Sequence, residues 1–579
     1  MEIPRPEYPR PQCVRQRWLN LNGPWEFSFD PGRSGVARGL PNAERLEREI
    51  LVPFCPESAL SGLGDVDFHP GVWYRRTFTV PEAWEGQRIL LHVGASDYDT
   101  VVWLNGQEVG RHRGGYTPFT CDLTPFLRRG ENALVINAED DTRSPWVPSG
   151  KQCPEYRSYG CFYTRTTGLW QTVWLEPVPE TYIRSVRLTP NLEAGTVRIE
   201  LALGGQPSRG NLLAQAWLEG HPVGSAQAPF IGGRVEATLR LRDIFPWEPG
   251  HPTLYDLTLT LNTAAGTPDV VQSYFGLRSV ALSERAILLN GRPLFQRLVL
   301  DQGYYPEGIY TAPSDEALRR DIEIALGLGF NGARLHQKVF EPRFLYWADR
   351  LGYLVWGEFP NWGLNLHDPK ALEVFAPQWL EALERDYSHP ALVGWCPFNE
   401  TQPDQDPEIL RTIYRLTKAV DSTRPVIDTS GYQHVETDIY DVHNYGQDVA
   451  SFASLFADFA QGGEPFRNRP RLDAPYRGQP YFVSEYGGIW WNPGQRDETG
   501  WGYGGVEGRP RSEEEFLARY RGLTEALLRH PRMCAFCYTQ LYDIEQEVNG
   551  LYTYDRRPKF DPALIRAINT QPAAIEAAP

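Results

Sequence analysis

The sequence predicts two β-sandwiches followed by a (β/α)8 barrel, a TIM barrel, and three observations carry that prediction. Short alternating apolar segments broken by Gly, Pro and Asn fill the chain up to about residue 282. Near Ser283 the pattern changes to strand, helix, strand, helix for nearly 300 residues, the span of one barrel. Within that second part, two apolar segments each end in a glutamate, Glu400 and Glu485. At 579 residues the chain is also too long for a single core.

From about Trp18 to Pro179, runs such as Trp73–Val80 and Arg88–Val93 read as strands of an all-β sandwich. Between two of its apolar runs sits Leu104-Asn105-Gly106, and Asn-Gly predicts a type I′ turn because both central residues need positive φ. From Glu180 to Leu282 the style repeats, in Val197–Leu201 and Tyr255–Leu261, over about the 100 residues of an immunoglobulin-like sandwich. Eight barrel strands are predicted to begin at or near Leu294, Asn331, Leu354, Leu392, Val426, Tyr440, Tyr481 and Cys534. Helix starts are marked by Ser314-Asp315-Glu316-Ala317, Pro342, Asp406-Pro407-Glu408 and Ser512-Glu513-Glu514-Glu515. These readings divide the chain into residues 1–179, 180–282 and 283–579.

The formal charge of −16 sets a repulsive average field against nucleic acid, so no nucleic-acid partner is expected. Only five lysines occur, Lys151, Lys338, Lys370, Lys418 and Lys559, so nearly all positive charge is Arg. No signal-like apolar run opens the chain and none reaches 18 residues, so a cytoplasmic protein without a membrane partner is expected. Eight scattered Cys fit reduced, structural thiols. Cys534 and Cys537, the lone CxxC, fall on a predicted strand, where an i, i+3 pair points to opposite faces and cannot readily chelate a metal. No HxxxH or clustered His/Asp motif stands out either, and no metal and no cofactor is expected. The 13% aromatic content would serve cores or sugar-stacking platforms equally well. A homo-oligomer is compatible with the chain.

The two glutamates end the predicted fourth and seventh strands, which face each other across a barrel. Metal-free glycoside hydrolysis needs a proton for the leaving oxygen and a nucleophile or activated water, hence two carboxyls with different pKa values. A strand-end Glu also suits a buried ion pair. Two of them on opposite strands favour catalysis on a carbohydrate substrate, and Asn399 adds a neutral donor for a sugar hydroxyl.

Asn399-Glu400, Ser484-Glu485-Tyr486-Gly487 and Arg385-Asp386-Tyr387-Ser388-His389-Pro390 resemble glycoside hydrolase family 2, the family of β-galactosidases, β-glucuronidases and β-mannosidases. Supporting stretches are Leu19–Phe27, Gly168–Leu175 and Leu289–Leu294. The resemblance spans nearly the whole chain. It implies a jelly-roll sugar-binding-like domain, an immunoglobulin-like domain and a catalytic barrel, with Glu400 as general acid/base and Glu485 as nucleophile of a retaining double displacement. Arg334 and His336 occupy the strand-two end where the family carries an Arg and a His, to hold a carboxylate and to meet sugar hydroxyls. His443 and Tyr445 end strand six, where a Tyr could donate to the nucleophile. Trp362, after strand three, and Trp490, Trp491, Trp501 and Tyr503, after strand seven, are candidate stacking walls.

The chain also departs from the family pattern. After strand one it reads Gln296-Arg297-Leu298-Val299-Leu300-Asp301-Gln302, which brings Asp301 forward as a sugar-facing group. Strand eight offers Tyr538-Thr539-Gln540 as an altered pocket floor. β-Glucuronidases resemble one another in an Asn-x-Lys motif that holds the sugar carboxylate, and the comparable stretch here, Glu547-Val548-Asn549-Gly550, lacks the Lys. The expected activity is thus a retaining exo-glycosidase, β-galactosidase-type first, with an α-L-arabinofuranosidase or β-galactofuranosidase as alternatives. A non-catalytic carbohydrate-binding protein is the alternative of another class.

Overall fold

The computed structural model describes residues 3–206, 208–264, 266–493 and 500–576. The first sandwich packs a four-stranded sheet against a six-stranded one. The four run in the order Leu19–Asn20, Val173–Val178, Arg88–Val93 and Phe119–Asp122. Between the sheets lie Trp25, Phe27, Tyr74, Leu91, Val102, Ile136 and Leu175, all buried. Asn105 and Gly106 take φ of 52° and 81°, the two positive angles expected of the turn.

The second sandwich pairs Thr181–Asn191, Thr196–Gly205 and Arg234–Arg240 against a four-stranded sheet. Alternation decides its facing. Along Thr196–Gly205, Val197, Ile199, Leu201 and Leu203 are buried while Arg198 is exposed.

The third unit is the barrel. Its strands are β1 Gln296–Asp301, β2 Gly332–Leu335, β3 Leu354–Glu358, β4 Leu392–Cys396, β5 Thr429–Ser430, β6 Tyr440–Asn444, β7 Tyr481–Gly487 and β8 Met533–Thr539. Seven form one parallel sheet in the order β4-β3-β2-β1-β8-β7-β6. A two-residue continuation of β4, Phe398–Asn399, pairs in parallel with β5. Strand five is shorter than the sequence suggests, and Val426 makes only an isolated bridge to Trp395. Side chains take the amides that a longer ladder would use: Val426 N donates to Asp438 Oδ2 and Asp428 N to Thr437 Oγ1.

The surrounding helices start where the sequence marks them. Helix α1, Asp315–Gly327, is capped by Ser314, whose hydroxyl accepts from Ala317 N. Helix α2, Pro342–Leu351, opens on proline; helix α3 spans Ala371–Asp386; and Asp406 caps α4, Pro407–Val420. After the short helices α5, Val449–Ser454, and α6, Ala457–Ala460, Ser512 caps α7, Glu513–Leu528. Helix α8, Pro562–Asn569, packs beside α7 and α1. Among the described residues, no helix is long and apolar enough to cross a membrane.

A loop of the first sandwich reaches over the C-terminal mouth of the barrel and is tied there by hydrogen bonds. Ser149 N and Gly150 N donate to Trp362 O at 2.9 and 3.1 Å, and Gln546 Nε2 donates to Gly160 O and Phe162 O at 2.8 and 2.9 Å. Gly150 has φ of +59°, and a Cβ there would lie 2.5 Å from Gln337 O, so only glycine lets the loop sit this close.

Candidate active site

At the mouth of the barrel, under the sandwich loop, lies a cavity of about 270 Å³ whose wall includes Glu400, Glu485, His336, His443 and Tyr445. That is below the ~300–1,000 Å³ of sites that enclose a drug-sized ligand. A larger cleft, about 480 Å³, separates the second sandwich from the barrel beside Leu188, Arg278, Tyr387 and Arg424. It holds neither strand-end carboxylate, and its guanidinium groups are already engaged by backbone carbonyls at Pro390, Leu392 and Tyr387. The smaller cavity is therefore the chemical one.

Glu400 follows the continuation of β4, with φ of 51°, and its N–H donates to Ser430 O of β5 at 2.9 Å. This left-handed turn takes the chain out of strand geometry and leaves the side chain 15% exposed at the cavity wall. Glu485 lies within β7, in register with His443 of β6, and is nearly buried. One oxygen of each carboxylate lies within 4.8 Å of the other, and His443 Nδ1 sits between them, 2.9 Å from Glu400 Oε1 and 3.4 Å from Glu485 Oε2. Retaining glycosidases hold their carboxyls about 5–5.5 Å apart, inverting ones about 6.5–9.5 Å. The spacing here falls on the retaining side of that division.

The two carboxylates have different surroundings. Arg334 Nη1 donates to Glu485 Oε1 at 3.0 Å, and the Tyr445 hydroxyl donates to Glu485 Oε2. Burial alone would raise the pKa of Glu485, but His443, then His336 and Arg334, and the Tyr445 hydroxyl outweigh it and hold the carboxyl well below the usual range. Burial also disfavours charge on His443, yet Glu485 and the hydrogen bond to Glu400 raise its pKa above the ordinary value. Behind His443, Ser430 Oγ lies 2.9 Å from His443 Nε2 and 2.9 Å from Asp441 Oδ2, which fixes the ring.

Of the predicted residues, the cavity wall brings together Glu400, Glu485, Asn399, His336, Trp362, His443 and Tyr445, and also Trp501 and Tyr503. Arg334 stands behind the wall, spanning Glu485, Glu358 at 2.6 Å and Asn399 Oδ1 at 3.1 Å. Five other candidates lie off the cavity wall. Asp301 is buried and accepts from the Tyr542 hydroxyl and Gly303 N, while the next residue, Gln302, lines the cavity. Tyr538 packs against Tyr486 of β7 and Tyr520 of α7, and its neighbour Thr539 faces in. Gln540 lies behind, bonded to Gln302 and Asn549. In a strand, side chains alternate, so the end of a strand fixes a residue's height in the barrel but not its facing. Trp491 stacks on Phe560 and tilts against Phe516 of α7, so it is packing and not platform. Trp490 is likewise buried, under Arg509.

One residue behind the wall and three in it are not among the site candidates the sequence reading picks out. Glu358 ends β3 as an acid, the same signal that marked Glu400 and Glu485, and its partners are Arg334 and His336. Lys151 and Cys161, from the sandwich loop, and Glu547, from the loop after β8, also line the cavity. Glu400, His443 and Glu485 each bring one ligand atom into a group that could hold a cation. A cation there would consume the charge of Glu485 and fill the space between the carboxylates.

The sequence matches three profiles, described as glycosyl hydrolases family 2 sugar binding domain over residues 65–149, glycosyl hydrolases family 2 over 181–278, and glycosyl hydrolases family 2 TIM barrel domain over 280–499. It is 28% identical to the β-glucuronidase of Canis lupus familiaris over 466 residues, 74% of this chain and 70% of the relative. To a β-galactosidase of Thermoanaerobacter pseudethanolicus it is 25% identical over 424 residues, 70% of this chain and 54% of the relative. The fold is similar to that of a Lactobacillus rhamnosus β-glucuronidase, with a TM-score of 0.82 over 98% of this chain and 99% of that one at 20% identity. It is also similar to a Ruminococcus gnavus β-glucuronidase, with a TM-score of 0.80 over 98% and 100% at 18% identity.

Proposed function

The chain belongs to glycosyl hydrolase family 2 and is a glycoside hydrolase, and from that premise we propose that it releases a terminal neutral sugar with retention, Glu485 acting as nucleophile and Glu400 as general acid and base. The observation that carries the reading is the pair of carboxylates within 4.8 Å, one held ionised by cationic and hydroxyl partners, the other at the exposed rim. In the first step Glu485 attacks the anomeric carbon while Glu400 gives its proton to the glycosidic oxygen, and the bond to the aglycone breaks. In the second, water yields a proton to Glu400 and its oxygen displaces Glu485 from the sugar.

An exo action is supported by the small cavity, roofed by the sandwich loop, which suits one terminal sugar. The preference for a neutral sugar rests on Glu547, a buried carboxylate in the cavity wall at the stretch comparable to the uronate-holding motif of β-glucuronidases. A sugar carboxylate would meet like charge there. Among neutral sugars β-galactosides come first, with α-L-arabinofuranosides and β-galactofuranosides as the furanose alternatives. A β-glucuronidase is the second reading, favoured by the named relatives and by the Lys151 cation in the same wall. Action in the cytoplasm is supported by eight free cysteines.

Initial rates on a panel of nitrophenyl pyranosides and furanosides of both anomers, with glucuronides included, test the sugar. Release of a neutral sugar at the highest kcat/KM is expected, and turnover confined to glucuronides would overturn it.

A further inference from the structure

Lys151 is the one cavity-wall lysine, and it comes from the first sandwich and not from the barrel. Only 6% of it is exposed. Its ammonium lies 4.0 Å over the ring of Trp362, and no ion pair within 4.0 Å joins it to a carboxylate among the described residues. Burial works against its charge, but Cys161, Glu547, Glu400 and Glu485 around the cavity keep it protonated. An ammonium carries three donors. Here none of them reaches a carboxylate within 4.0 Å, while Cys161, Glu400, Glu485 and Glu547 line the same cavity.

Glu547 is the complementary group. Its Oε2 accepts from the Tyr163 hydroxyl and its Oε1 from Asn549 Nδ2 at 2.9 Å. An ionised carboxylate offers about four acceptor positions, so these two bonds leave about two unfilled. Both partners are rigidly placed. Tyr163 belongs to the same sandwich loop as Lys151, Gln302 Nε2 reaches the Tyr163 hydroxyl at 3.1 Å, and Thr164 N donates to Glu545 Oε1 at 3.0 Å. Trp362, which supports Lys151, is itself held by its Nε1 donating to Asn399 O at 3.2 Å.

Resting on the neutral-sugar reading above, we propose that Lys151 and Glu547 form a donor–acceptor pair across the domain boundary that reads hydroxyl groups of the bound sugar which the catalytic carboxylates do not engage. The first sandwich is then part of the substrate site. Lys151 donates to one sugar oxygen and Glu547 accepts from a hydroxyl, and a sugar that lacks or inverts either group loses the contact.

The test uses the full chain, with kcat and KM measured on the best nitrophenyl glycoside and on its monodeoxy analogues, for wild type, Lys151→Met and Glu547→Gln. Lys151→Met is expected to lower kcat/KM by one to two orders of magnitude, mainly through KM, and to match wild type on the one deoxy analogue that lacks its partner. Glu547→Gln keeps the side chain's shape and reads the same pair from the other side should Lys151→Met fold poorly; it is expected to converge with wild type on a particular deoxy analogue as well. Equal losses on every analogue would assign the residues a structural role and overturn the pair, as would a Lys151→Met enzyme within twofold of wild type. Wild-type turnover confined to uronides would instead overturn the neutral-sugar reading, and the pair with it.

Discussion

Arg334 of β2 and Glu485 of β7 are joined at 3.0 Å across the barrel, and both side chains are almost wholly buried, at 1% and 4% exposure. The same guanidinium reaches Glu358 at 2.6 Å. One buried cation thus serves two buried anions, and it orients Glu485, the proposed nucleophile, from behind without touching the cavity. Replacing Arg334 by Met strands both carboxylates, which costs about 3–5 kcal/mol for a broken buried pair. A marked fall in the thermal midpoint is expected together with loss of turnover, whereas Arg334→Lys should keep more stability than activity, because Lys lacks the planar fork. Calorimetry beside kinetics checks both.

The Tyr445 hydroxyl donates to the other oxygen of Glu485. Tyr445→Phe removes that donor from the proposed attacking group, whose charge changes during the proposed reaction. We expect kcat to fall by about 10–100-fold with a smaller change in KM, as for one lost hydrogen bond to a charged group. An unchanged kcat would mean the hydroxyl contributes only packing.

The role proposed for Glu400 has a leaving-group signature. Glu400→Ala cannot protonate the departing oxygen, so it should lose far more activity on alkyl glycosides than on dinitrophenyl glycosides, whose leaving groups need no proton. With the activated substrate the covalent sugar ester should accumulate, and azide should restore turnover and give a glycosyl azide of the substrate's anomeric configuration. Equal losses on both substrates would contradict an acid/base role.

Glu57, in the first sandwich, is fully buried with Oε1 unpartnered, and burial pushes its pKa up to about 7 from 4.5. In the folded protein it therefore binds a proton that the unfolded chain releases between pH 4.5 and 7. Its contribution to stability is complete below pH 4.5 and is lost as pH rises through about 7. The difference is on the order of 3 kcal/mol. Glu57→Gln should flatten the fall in thermal midpoint between pH 5 and 8, mostly by stabilising the protein at pH 8. A parallel shift at both pH values would show that Glu57 does not titrate across this range.

The barrel and its two strand-end glutamates were legible because apolar runs, caps and strand-end acids are local patterns, and β4, β7 and the caps at Ser314, Asp406 and Ser512 all follow from neighbours in sequence. Facing was less legible. Asp301 and Tyr538 look inward on paper, yet Gln302 and Thr539 are the residues that line the cavity, because one step along a strand reverses a side chain. Least legible were Lys151 and Glu547, which are 396 positions apart (547 − 151) and meet only through docking of the sandwich loop on the barrel. The scarcity of lysine, with one of five set in a Pro-Ser-Gly loop, was the available hint.

The central claim is that Glu485 attacks the sugar. Incubation with an activated 2-deoxy-2-fluoro glycoside of the preferred sugar, followed by peptide mass spectrometry, tests it most directly, since the fluorine slows release of a covalent intermediate. The account predicts one added fluorosugar on the peptide containing Ser484-Glu485-Tyr486, and no label in Glu485→Gln. A label on Glu400, or turnover that inverts the anomeric configuration with no label at all, would contradict it.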